Sequence, residues 1–181
     1  MIVKDTTLPE VKILIPEIHN DERGYFLESF NSTEFQNKNI PINFLQDNEV
    51  KSKKNSIRGL HYQLKKPQGK LVRAVFGNIL DVAVDIRKGS PNFGKYVIEE
   101  LSEKNKKMLY VPEGFAHGYC VLSKESVVIY KCTNIWNPDD EQGILWNDIT
   151  IGIKWGINKP ILSTKDLVLP TLAEQQLLPT F

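Results

Sequence analysis

The chain has little of what would take it out of the ordinary globular class. It has only two cysteines, Cys120 and Cys132, and no C-x-x-C spacing, which excludes a disulfide scaffold and a thiolate metal knuckle. Both are expected to be reduced core thiols. The formal net charge of +1 excludes the broad basic footprint of a nucleic-acid-binding domain. No apolar run is long enough to span a bilayer, and MIVKDTTLPE has no apolar stretch ahead of a small-residue cleavage site. No membrane partner is therefore expected, and the cytoplasm is the expected compartment. Helical periodicity is scarce as well. Only STEFQN, with Ser32 as a cap, and TLAEQQLL, with Thr171 as a cap and Glu174 three residues on, carry helix signals.

What the chain has is alternation. Apolar and polar residues alternate in short runs broken by Gly, Pro, Asn and Asp, the pattern of strands joined by tight turns. VKILIPEI, GYFLESF, NFLQDNEV, SIRGLHYQ, KLVRAVF, ILDVAVDI, KYVIEEL, KMLYVP, HGYCVL, VVIYKCT and ILWN are each expected as strands. So many strands with so little helix predict an all-β sandwich, jelly roll or small barrel. With no repeat, linker or shift of composition, one domain over 1–181 is expected.

KLVRAVF and ILDVAVDI are separated by Gly77-Asn78, a signal for a primed turn. That predicts a hairpin pairing Phe76 with Ile79, Ala74 with Asp81, Val72 with Ala83 and Lys70 with Asp85. Alternation then sets Lys70, Val72, Ala74, Asp81, Ala83 and Asp85 on one face, and Leu71, Val75, Leu80, Val82, Val84 and Ile86 on a continuous apolar opposite face. A lysine and two aspartates on one surface read either as a solvated ion pair of small value or as the lining of a ligand cavity.

His19, in PEIHNDERG, sits among turn formers and reads as a loop histidine. His117, in PEGFAHGY, completes a P-x-G-x-x-H pattern that resembles the second motif of the cupin jelly-roll barrels. There the histidine points into the barrel and in many members ligates a metal. His61, in SIRGLHYQ, is followed by Tyr62 and Gln63, so the pair of histidines one residue apart that such a metal site uses is missing. A metal ligand, a proton-transfer group and a buried structural ring all remain open for His61 on the residues alone. Arg58 and His61 are an odd number of positions apart, so a regular strand sends them to opposite faces. Gly59 marks a bulge that would turn both inward. An inward arginine needs an anion, either an acidic ligand or a carboxylate such as Asp85 or Glu141.

Taken in order, DERGYFLESF, FLQDN, SKKNSIRGLHYQ, QGKLVRAVFGNILDVAVDIRKGSPNFGKY, YVPEGFAHGY, VIYKCTN, EQGILWND, IGIKW and LSTKD resemble the dTDP-4-dehydrorhamnose 3,5-epimerase family, from about residue 2 to residue 170. The resemblance implies an all-β, cupin-type double-stranded β-helix, a jelly-roll barrel with short peripheral helices. It implies an isomerase that uses no cofactor and no metal. Such an enzyme inverts C3 and C5 of dTDP-4-dehydro-6-deoxy-D-glucose to give dTDP-4-dehydro-L-rhamnose, on the way to dTDP-L-rhamnose for cell-surface polysaccharide. The partners implied are the dTDP-linked 4-ketosugar and a second copy of the chain. The homodimer would form by exchange of N-terminal strands, with MIVKDTTLPEVKILI as the candidate edge strand.

The same resemblance implies roles for individual residues. His61 is the base, and Asp166 in STKD is its partner. Lys70 in QGK lies near the developing oxyanion, kept charged by Asp81, and Tyr130 in VIYK is the acid on the opposite face. Arg23 and Arg58 match phosphate and sugar contacts, with Lys165 a further candidate. Glu28, Gln46 and Asn48 match thymidine and sugar positions, Phe26 an apolar wall, and His117 a contact inside the barrel. Trp136 stands where an aromatic meets the thymine, and Glu141 matches a nucleotide-side contact. The rival readings are a relative that epimerises one carbon, a metal-dependent cupin oxygenase, and a barrel that only binds a sugar.

Overall fold

A computed structural model describes residues 1–181. The alternating runs become strands β1 (Ile2–Asp5), β2 (Lys12–Ile15), β3 (Ile18–Asp21) and β4 (Gly24–Leu27), then helix α1 (Ser32–Asn37). After it come β5 (Gln46–Lys53), β6 (Ile57–Gln63), β7 (Lys70–Phe76), β8 (Asn78–Asp85), β9 (Tyr96–Ser102), β10 (Met108–Val111), β11 (Phe115–Val121), β12 (Glu125–Cys132) and β13 (Glu141–Gly143). One sheet has the order β1-β2-β10-β7-β12-β5, the other β13-β6-β11-β8-β9, and β3 with β4 forms a separate ribbon. No helix is long and apolar enough to cross a membrane.

Alternation gives each sheet two apolar faces to cover. Val72, Ala74, Ile79, Ala83, Leu109, Phe115 and Val128 meet in the space between the sheets. The outer face of the second sheet, with Leu60, Tyr62, Val82 and Val84, is covered by Ile144, Ile151, Trp155 and Leu172 from the C-terminal segment. The outer face of the first, with Leu14, Leu71 and Met108, is covered by Phe35 of α1 and by Ile40. Each fully buried large side chain contributes about 1.5–3 kcal/mol. The result is the all-β, cupin-type jelly roll expected from the sequence.

The hairpin expected across Gly77-Asn78 does not form. β7 pairs with β10 and β12, whereas β8 pairs with β9 and β11. Gly77, at φ +75°, instead carries the chain from one sheet to the other, and a Cβ there would lie 2.2 Å from the Glu125 carbonyl oxygen. The Asn78 N–H donates to Ser123 Oγ at 2.9 Å rather than closing a turn onto β7. Val72, Ala74 and Ala83 still share the interior, but they reach it from opposite sheets. The expected opposite face is likewise two surfaces: Leu71 packs near α1, and Val82, Val84 and Ile86 pack under the C-terminal segment.

Smaller expectations also shift. His19 lies in β3 and stacks on Phe26 at 6.3 Å, so it is not a loop histidine. ILWN is not a strand, because β13 ends at Gly143. The cap of α1 is Asn31, whose side chain accepts from the Thr33 and Glu34 N–H groups, and not Ser32. TLAEQQLL makes a turn and no helix. The Thr171 backbone N–H donates to Glu174 Oε2 at 3.0 Å as in a capping box, but tertiary bonds then draw the chain out. Leu172 N–H donates to Asp148 Oδ2, Gln175 Nε2 to the Gly143 carbonyl, and Tyr62 Oη to the Leu177 carbonyl.

Candidate active site

β6 and β11 supply the centre of the site. His117 on β11 is the Cα partner of His61, and Tyr119 is the partner of Arg58, so three steps on β6 answer two on β11. The extra residue is the bulge expected at Gly59. At φ +108°, with a Cβ that would sit 2.5 Å from the His117 carbonyl oxygen, this position admits only glycine without strain. The bulge resets the alternation, so Ile57, Leu60 and Tyr62 pack outward while Arg58 and His61 open on the interior.

There they line a cavity of about 330 Å³ with Lys70, His117, Tyr130, Lys165 and Asp166. A recess of about 280 Å³ shares His61, Lys70 and Tyr130 and adds Gln46, Asn48, Trp136 and Glu141. Both strands flanking Gly77 contribute to this interior, Lys70 from β7 and, next to His117, Asp81 from β8.

His61 Nε2 lies 2.6 Å from Asp166 Oδ1, which leaves Nδ1 as the uncommitted ring nitrogen. Burial opposes the Asp166 carboxylate, but hydrogen bonding and charge from His61, followed by Ser163 and the Gly59 N–H, outweigh it and hold the carboxyl below its usual range. Glu141 Oε1 stands 3.8 Å from Nδ1, beyond hydrogen-bond reach, and its Oε2 is ion-paired with Lys165. His117 Nε2 lies 2.9 Å from Oδ1 of Asp81, whose Oδ2 is buried without a partner. Burial pushes the Lys70 ammonium below its ordinary range, with Cys132, Glu141 and Asp81 opposing the shift. The Tyr130 phenol is pushed up to about 12, first by burial and then by Cys132 and Tyr119.

Arg58 does not meet Asp85 or Glu141. Its Nε donates to Ser52 Oγ at 3.0 Å, Asp85 is held by Arg87 and Ser90, and Glu141 by Lys165. The guanidinium thus faces the cavity with no carboxylate partner, an arrangement suited to an anionic ligand.

Three expected residues are not brought to this cavity. Arg23, Phe26 and Glu28 sit on or beside the β3–β4 ribbon, where Arg23 is paired with Asp21 at 2.5 Å and Phe26 is 68% exposed. Phe26 and Glu28 line a separate surface recess with His19. Two residues of the site escaped the sequence reading. Tyr119, with a buried hydroxyl lacking a partner, lies two positions beyond His117 and so on the same face, which could have revealed it. Nothing in the sequence marks Ser52, which holds Arg58.

An imidazole backed by a carboxylate, a buried lysine and a protonated phenol around one cavity can move protons to and from a carbon beside a polarised carbonyl. Comparison with known proteins agrees. A family model described as dTDP-4-dehydrorhamnose 3,5-epimerase matches residues 5–174. The dTDP-4-dehydrorhamnose 3,5-epimerase of Shigella flexneri is 52% identical over 169 residues, covering 92% of this chain and 93% of that protein. The enzyme of the same description from Neisseria gonorrhoeae is 48% identical over 177 residues, 97% of this chain, which spans 54% of that longer relative. Among solved structures, a dTDP-6-deoxy-D-glucose-3,5-epimerase from Legionella pneumophila in complex with dTDP-4-keto-L-rhamnose is similar with a TM-score of 0.96 at 42% identity, over 99% of this chain and 97% of that one.

Proposed function

The chain belongs to the dTDP-4-dehydrorhamnose 3,5-epimerase family, and from that premise we propose how its cavity inverts two centres of a dTDP-linked 4-ketosugar. It is an isomerase of dTDP-L-rhamnose formation, converting dTDP-4-dehydro-6-deoxy-D-glucose to dTDP-4-dehydro-L-rhamnose. C3 and C5 both flank the C4 ketone, so loss of either proton leaves an enolate. The barrier is set by how well that enolate is stabilised.

In this reading His61 Nδ1 takes the proton, and the C–H electron pair becomes the enolate double bond. Asp166, on the other ring nitrogen, stabilises the imidazolium that forms. Lys70 donates to the oxygen on which negative charge develops, the kind of preorganised interaction that often carries the largest share of catalysis. Asp81, held by His117, favours the charged lysine. Tyr130 then delivers a proton to the opposite face of the ring, restoring the ketone with inverted configuration; it recovers a proton from solvent, and the His61 imidazolium gives one up to solvent, so both groups are reset for the second carbon. The observation that carries this reading is the 2.6 Å contact between His61 and Asp166 in a cavity shared with Lys70 and Tyr130.

The remaining residues suit the nucleotide. Arg58 is assigned to the diphosphate, with Lys165. The recess with Gln46, Asn48, Trp136 and Glu141 is assigned to the thymidine side, supported by the Trp136 backbone N–H donating to Gln46 Oε1 at 2.8 Å. Arg23, Phe26 and Glu28 complete the site of a second copy in a homodimer. Exposed Tyr25 and Phe26 on the ribbon, and β1 at the open edge of the larger sheet, support that assembly. The reaction is assigned to the cytoplasm and to a single domain, with no cofactor and no metal.

Chelator-treated protein incubated with the dTDP-linked ketosugar should form dTDP-4-dehydro-L-rhamnose at an undiminished rate. Loss of turnover that a metal restores would favour the oxygenase-like reading, and an unchanged sugar would leave only binding.

A further inference from the structure

We propose that Glu141 and Lys165 form a switch on the basicity of His61: Lys165 neutralises Glu141 in the unliganded protein, and a bound diphosphate draws Lys165 away. The inference rests on the reading of His61 as the base, and it concerns the side of the ring that Asp166 does not occupy. Glu141 presents its two oxygens to two different groups, Oε1 to His61 Nδ1 at 3.8 Å and Oε2 to the Lys165 ammonium. Nδ1 is the nitrogen left to accept a proton from substrate, so the carboxylate on the side of the transferred proton is that of Glu141.

The two partners are held differently. Glu141 is fixed by β13, whose backbone pairs with Gln63 on β6, and its side chain is 15% exposed. Lys165 sits on the loop before the short 3-10 turn Asp166–Val168, and its side chain is 51% exposed. The lysine also lines the cavity with Arg58, a cation with no carboxylate partner, so a diphosphate held by Arg58 competes directly with Glu141 for Lys165. Once Lys165 has turned to the phosphate, Glu141 is unopposed and stabilises the imidazolium, making His61 a stronger base when a nucleotide-sugar is in place. The other charged or titratable groups facing His61 are Asp166, Arg58, Lys70, His117, Tyr119 and Tyr130, and they are the same with and without the lysine. Glu141 is thus a positioning residue acting through His61, and Lys165 is its control.

The test is a pH titration of histidine ring signals by NMR in the ligand-free protein, with His61→Asn identifying the His61 resonance. Glu141→Gln should lower the His61 titration midpoint, and Lys165→Met should raise it, each by about 0.5–1 pH unit for a charge at this range and partial exposure. A purely structural role for the pair would not give opposite signs. Saturating thymidine diphosphate should raise the midpoint further in the unsubstituted protein than in Lys165→Met, where Glu141 is already released. Midpoints that do not move, that move in one direction in both variants, or that respond equally to the nucleotide overturn the proposal. Lys165 is a half-exposed loop residue, so Lys165→Met decides the matter even where Glu141→Gln folds poorly. Opposite shifts in a protein that does not turn over the ketosugar would contradict the epimerase assignment and leave the coupling standing. Turnover with unmoved midpoints would do the reverse.

Discussion

His61 and Asp166 lie 105 positions apart in the chain and 2.6 Å apart in space, with the Asp166 carboxyl all but buried. One ring nitrogen is therefore committed, the other faces the cavity, and an imidazolium formed there has a carboxylate behind it. Removing either member should remove a positioned acid/base group. His61→Ala and Asp166→Ala are each expected to lower turnover by at least about 10²- to 10⁴-fold with the fold intact by circular dichroism. Near-full turnover in either variant would contradict the role.

Tyr130 should separate exchange from inversion. With its phenol pushed up to about 12, it stays protonated throughout the neutral range and serves as a donor. In Tyr130→Phe the proton can leave through His61 but has no donor on the other face. In deuterated water, substrate should therefore gain deuterium at C3 or C5 faster than it changes configuration. Inversion at the unsubstituted rate would contradict the assignment. An alkaline limb in kcat/KM below about pH 10 should survive Tyr130→Phe, because a group titrating near 12 does not set it.

Gly59 should tolerate no side chain. Gly59→Ala places a Cβ 2.5 Å from the His117 carbonyl oxygen and 2.8 Å from Gly118 Cα at a positive φ. A loss of about 2 kcal/mol or more in urea unfolding is expected, with turnover falling as His61 is displaced. Unchanged stability and activity would show that the bulge does not fix the site.

Acid should unfold the protein through a few buried carboxylates. Asp140 is almost fully buried and accepts the Lys65 and Lys66 N–H groups at 2.8 Å. Burial opposes its ionisation, but these bonds hold its carboxyl below the ordinary range. Asp85, with Arg87 and Ser90, and Asp166, with His61, are also lowered. A carboxyl lowered in the folded state contributes stability that is fully present above its unfolded value, about 3.9, and is lost as pH falls through the folded one. Unfolding free energy should therefore be flat near neutrality and drop from about pH 4 downward. Asp140→Asn should cost about 1–3 kcal/mol at neutral pH and shallow that drop. An unaltered acid slope would show that Asp140 is not among the groups responsible.

How much of this was legible in the sequence depends on the range over which each feature is decided. Alternation is local, so most strands read correctly, and the Gly59 bulge could be inferred because glycine within a strand has few other uses. The partner of a strand is not local. Lys70–Phe76 and Asn78–Asp85 carry the pattern of a hairpin, yet the first finds both its neighbours in distant segments and the second pairs with the next strand and a distant one, because the interior between two sheets satisfies the same alternation as one face of a single sheet. The C-terminal TLAEQQLL has the capping residues of a helix, and its outcome was set by Asp148, Gly143 and Tyr62, which no local pattern reveals. The pairing of His61 with Asp166 is of the same kind. It was expected only through the family resemblance, whereas Glu141 beside the other ring nitrogen was not expected at all.

The most direct test of proton abstraction on both sides of the ketone is NMR of the product formed from dTDP-4-dehydro-6-deoxy-D-glucose in deuterated water. Deuterium at both C3 and C5, each with inverted configuration, is the expected result. Deuterium confined to one carbon, or inversion without any incorporation from solvent, would contradict it.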